Sequence, residues 1–161
     1  MQKFKTILFY LFIIVCMLIL GFYRDFVFKS INALLQAWDH DMDYPMPRSL
    51  SFISNYGYGT IVNIKWLLTL IFSLAYLGIS IAVIRSMFHN RSYNRITIAS
   101  YAGIIAVSAV LIVMGLLFKS TSEKMYEFAR YLMGMAQSPI VLMILIPAFK
   151  LAEKEKTTTT P

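Results

Sequence analysis

Residues 96–118 read ITIASYAGIIAVSAVLIVMGLLF, 23 positions without one Asp, Glu, Lys, Arg or His. A hydrocarbon core of about 30 Å is crossed by about 20 helical residues rising about 1.5 Å each, so this run spans a bilayer. Three further uncharged apolar runs, at 6–23, 66–84 and 131–149, do the same, and the four make up about half of the 161 residues. Isolated strands leave backbone groups unpaired in lipid, and the runs lack the period-two alternation of a membrane barrel. The expected fold is all-α: a polytopic membrane protein of four transmembrane helices, treated as one membrane domain over 1–161, with a disordered tail at 151–161.

Composition agrees. Hydrophobic residues are 58% and charged residues 14%, against about 45–50% and 25% in soluble domains. The net charge of +7 is gathered at the ends of apolar runs, where it meets lipid headgroups, and no basic aromatic stripe suits nucleic acid. Membrane lipid is therefore the expected surrounding partner, and nucleic acid is not expected. The single cysteine, Cys16, lies inside the first run, so no intrachain disulfide is expected.

The first run is longer than a removable signal core and ends in Gly21, Phe22, Tyr23 and Arg24 rather than a small-x-small site, which predicts an uncleaved span. Lys and Arg are slightly richer in the N-terminus, the second loop and the tail than in the first and third loops. The acids Asp25, Asp39, Asp41, Asp43, Glu123 and Glu127 all lie in the first and third loops. Both termini are accordingly placed in the cytoplasm, with loop 24–65 facing outward.

Within that loop Val27, Ile31, Leu34, Leu35 and Trp38 follow helical spacing, with Asp25, Lys29, Asn32 and Gln36 opposite. This predicts an interfacial amphipathic helix, lying on lipid or on neighbouring spans. Asp39, His40, Asp41 and Asp43 are the only clustered donors for a metal. Tyr44 stands where a calcium loop needs its turn glycine and Leu50 where it needs its bidentate glutamate, so a solvated acidic loop is expected and no metal. Tyr44, Tyr56, Tyr58 and Trp66 suit an interfacial aromatic belt.

Ala99, Ala102, Gly103, Ala106 and Ala109, with Ala75, Gly78 and Ala82, form small-residue stripes that predict close packing of these spans together or against a partner's helix, a second copy included. Ser120 with Glu123 signals a helix start ahead of the fourth span, and Pro139 interrupts that span. Gln137, polar and next to the break, is the foremost candidate for an interhelical contact. Asn90-Arg91-Ser92 matches a glycosylation acceptor but falls in the loop placed inside the cell. No ionisable residue lies within a span, which argues against a pump. No Ser/His/Asp set, paired Cys and His, metal motif, phosphate loop or haem motif is present, so neither an enzyme nor a cofactor is expected.

Residues 126–132 (YEFARYL), 137–139 (QSP) and 145–149 (LIPAF), and more loosely 63–68 (NIKWLL) and the Arg24 region, carry a family likeness. The chain resembles the small integral-membrane proteins associated with bacterial exosortase systems, of the exosortase F or X type. The resemblance implies a non-catalytic accessory or scaffold protein of the bacterial inner membrane, beside an exosortase-like membrane protease, a cysteine transpeptidase that processes sorting tags, or its substrates. The positions that match are Arg130, Gln137, Pro139 and Pro147, with Arg24 and Asp25. Arg24, Asp25, Arg130, Gln137 and Pro139 are thus the expected partner-binding residues. The alternative is a small oligomeric transporter or channel subunit, with Gln137 and Pro139 lining a pathway between protomers.

Overall fold

The computed structural model describes residues 2–40, 42, 46–88, 90–117 and 122–158. These form α1 (Gln2–Asp39), a 3-10 helix (Arg48–Asn55), α2 (Tyr58–Phe88), α3 (Arg91–Leu117), α4 (Ser122–Ala136) and α5 (Ile140–Thr158), with no strand among the described residues. Three helices are long and apolar enough to cross a membrane, and the α4–α5 pair, bent by 62°, makes a fourth when counted as one broken span. Helix α2 is central, packing on α1, α3 and α4, while α3 also meets α4 and α5.

The bundle is apolar on its outer surface and places several polar side chains within its largely apolar core. Phe12, Ile19, Phe22, Leu67, Leu74, Val110 and Met143 are exposed, while Ser73, Ser80, Thr97, Ser108 and Gln137 are buried. That arrangement is expected where the solvent is hydrocarbon, since lipid offers Ser, Thr and Gln no hydrogen-bond partner. Most of the buried hydroxyls have one here, the Tyr93 hydroxyl being left without: Thr97 and Ser108 donate to the carbonyls of Tyr93 and Ile104 one turn back. Others cross between helices. Tyr76 donates to the Met17 carbonyl at 3.1 Å, Ser80 and Tyr101 bond at 2.9 Å, and Tyr10 and Ser86 at 3.3 Å. Gly21 makes the first contact feasible, because a Cβ there would come within 3.2 Å of the Tyr76 hydroxyl.

Three expectations change. The separate interfacial helix does not form; α1 runs unbroken from Gln2 to Asp39. Arg24 and Asp25 end the apolar run without ending the helix, because neither residue breaks one. Its former face covers protein: Val27, Ile31, Leu34 and Leu35 are buried with Leu50, Ile53 and Ile61 in a second core at the α1, 3-10 and α2 junction. Only Trp38 is left exposed, stacked on Tyr58 at 6.2 Å.

Second, the small-residue stripes face outward rather than packing these spans on each other, which leaves of the two expectations the one of a partner's helix. Ala99, Ala102, Gly103, Ala106 and Ala109, like Gly78 and Ala82, are exposed, and a Cβ on Gly78 or Gly103 would meet nothing within 4 Å. The bundle is packed instead by larger residues, including Phe72, Tyr76, Tyr93 and Tyr101. Third, the tail expected to be disordered continues α5 to Thr158.

The break before α5 is built locally. Ser138 donates its hydroxyl to the Met135 carbonyl at 2.8 Å and accepts the Ile140 N–H at 3.4 Å, capping α5. Pro139 then stands in the first turn, where its missing N–H costs nothing. Asn90 caps α3 in the same manner, its Oδ1 accepting the Ser92 N–H at 2.9 Å. The capping signal at Ser120 lies outside the described residues.

Candidate functional site

Three helices present matching faces to one cavity of about 450 Å3, to which α3 adds Ile112. From α1 come Arg24, Asp25, Phe28, Lys29, Asn32 and Leu35; from α2, Tyr58, Val62, Lys65, Trp66 and Thr69; from α4, Tyr126, Ala129, Arg130, Met133, Gly134 and the adjoining Gln137. In each set the spacing is that of one helical face. The cavity runs about 16 Å along α1, from a floor at Arg24, Thr69 and Gln137 to a rim carrying exposed Tyr58 and Tyr126, with Trp66 exposed on the wall between.

Gln137 is 3% exposed and uses both ends of its amide. Its Oε1 accepts from Arg24 Nε at 3.0 Å, and its Nε2 donates to the Thr69 carbonyl at 3.1 Å. One side chain at the α4–α5 break therefore ties α1 to α2. Ser73 also donates to that carbonyl at 2.9 Å, and Thr69 itself donates to the Lys65 carbonyl.

Arg24 is held on three sides: by Gln137, by Asp25 through Nη1 at 2.8 Å, and by the Phe28 ring, 5.5 Å from Cζ to centroid. Its Nη2 points toward Gly134, whose Cβ, if present, would stand 3.7 Å away. The other cations are not so engaged. Among the described residues Lys29, Lys65 and Arg130 have no ion-pair partner, and Lys65 feels the positive charge of Arg130. Four cations thus line the cavity against the one carboxylate of Asp25.

Of the residues singled out in the sequence, the structure brings together Arg24, Asp25, Arg130 and Gln137. Pro139 is not a lining residue; it ends the helix that delivers Gln137. The amphipathic residues Val27, Ile31 and Leu34 are core, and Leu35 touches the cavity. Asp39 and His40 are exposed at the end of α1, Asp41 and Asp43 lie outside the described residues, and no three His, Cys, Asp or Glu side chains gather among the described residues. Lys29, Lys65 and Thr69 were not foreseen as site residues. The signal was available as Arg130, Met133 and Gln137 on one face and Lys65 and Thr69 on another, but neither face could be aimed at the other without the fold.

The fold thus defines an all-helical protein with three to four candidate membrane-spanning helices. No protein-family model, no curated protein and no solved structure matches this chain.

Proposed function

We propose that this chain is a non-catalytic accessory protein of the bacterial inner membrane, acting with an exosortase-type C-terminal sorting system. The observation that carries the reading is the convergence of Arg24, Asp25, Arg130 and Gln137, four residues marked by the family resemblance, on one cavity. They come from two stretches separated by about a hundred positions, and a shared role explains why they belong together. Both amide groups of Gln137 are engaged, which supports a holding role over one of lining a conducting pathway. With both termini in the cytoplasm, the cavity opens at the outer membrane face, where exported substrates emerge.

The test is partner capture. A C-terminally tagged chain is crosslinked in native membranes, purified in mild detergent and its companions identified by mass spectrometry. Recovery of a membrane cysteine transpeptidase or its tagged substrates is expected, and Arg130→Glu should reduce it. Recovery of the chain alone as a defined oligomer would replace this reading with the channel one.

A further inference from the structure

The geometry points to the cavity as a receptor for a phosphate group, carried by the headgroup of an anionic lipid. The inference rests on the proposed reading only in placing the cavity at the outer face of the membrane. Charge comes first. Among the described residues Arg24, Lys29, Lys65 and Arg130 face a single carboxylate, and that carboxylate is already taken by Arg24. Like charges in a half-enclosed cleft are costly unless an anion lies between them, and an excess of three suits a group that carries more than one negative charge.

Geometry comes second. Arg24 is fixed before any ligand arrives, with Nε and Nη1 spent on Gln137 and Asp25 and no such bond from Nη2 among the described residues. A pre-set guanidinium on the floor, whose ordering cost is already met, and the three cations Lys29, Lys65 and Arg130 above it form a cradle. Size and walls then choose the source of the phosphate. A volume of about 450 Å3 is that of a site for an organic ligand rather than a bare ion. The rim rings of Tyr58 and Tyr126 are exposed, as amphipathic rings at headgroup height are. Next to the α4 wall, Phe128 and Tyr131 are exposed as well, 55% and 67%, and offer a surface for acyl chains outside the cavity.

The experiment uses the full chain in detergent micelles with Trp38→Phe, so that Trp66 on the cavity wall is the only tryptophan. Its emission is followed during titration with dioctanoyl phosphatidic acid, with dioctanoylglycerol and with inorganic phosphate. Saturable binding of phosphatidic acid is expected, with no response to dioctanoylglycerol. The Lys65→Gln/Arg130→Gln double variant should bind about thirtyfold more weakly. Lys65→Arg/Arg130→Lys, which keeps both charges, should restore most of the affinity, and Arg85→Gln, outside the cavity, should change nothing. Equal binding of dioctanoylglycerol, or unchanged affinity in a double glutamine variant that melts like the parent, overturns the site. Inorganic phosphate binding as tightly as the lipid overturns the lipid source. Partner capture involves no lipid titration, so each idea can fail alone.

Discussion

Gln137 shows how much one side chain can hold. Replacing it with leucine removes bonds to Arg24 and Thr69 and leaves the Arg24 Nε without its acceptor. We expect Gln137→Leu to cost about 1–2 kcal/mol, read as a lower melting temperature in detergent. Gly21 and Tyr76 make a second, coupled pair. Gly21→Ala crowds the Tyr76 hydroxyl, whose bond to Met17 it then disturbs. In Tyr76→Phe that hydroxyl is gone, so Gly21→Ala should cost less there than in the parent, and a double-mutant cycle measures the difference. The importance of Gln137 was legible in the sequence, because an amide within an apolar run needs a partner. Its partners were not, since a carbonyl on α2 leaves no trace in residue identity.

Among the elements, α1 departs most from what its sequence suggests. Arg24 and Asp25 look like the end of a span because charge is unwelcome in hydrocarbon, yet backbone hydrogen bonding continues through them. The two accounts of residues 24–39 differ in what they predict. On lipid the apolar face would tolerate truncation; against protein it does not. Ile31→Ala, at a fully buried position, should destabilise by about 2–4 kcal/mol, while Phe22→Ala, 77% exposed, should change stability by less than about 0.5 kcal/mol; chemical unfolding in micelles compares them. The α4–α5 break was foreseen from Pro139, but the proline is one of three supports beside the Ser138 cap and the Gln137 tie. Pro139→Ala alone should therefore keep the bend. Spin labels at Tyr126 and Ile144, in a Cys16→Ser background, should give the same distance distribution with and without the proline.

At the level of the whole molecule, the spans were readable because hydropathy records which solvent a segment prefers. The packing faces were not. In lipid an exposed alanine is no worse than a buried one, so the small-residue stripes of α2 and α3 could not say which way they turn, and they turn outward. The direction agrees instead with Ser80 on α2 and Tyr101 on α3, whose buried hydroxyls bond each other between the helices and would be left unsatisfied facing hydrocarbon. Orientation is tested directly. With Cys16→Ser, a membrane-impermeant maleimide should label Asn55→Cys in intact cells and Ser92→Cys only after permeabilisation.

The unpaired cations of the cavity have a mechanical consequence. Lys65 belongs to α2 and Arg130 to α4, and like charges on the two helices repel. An anion bound between them as proposed would attract both. The cavity would then be a clasp as well as a receptacle: its occupant would hold α4 onto α2, and without it α4 would be the first to open. Amide exchange on α4 would register this as slower opening with every increment of occupancy.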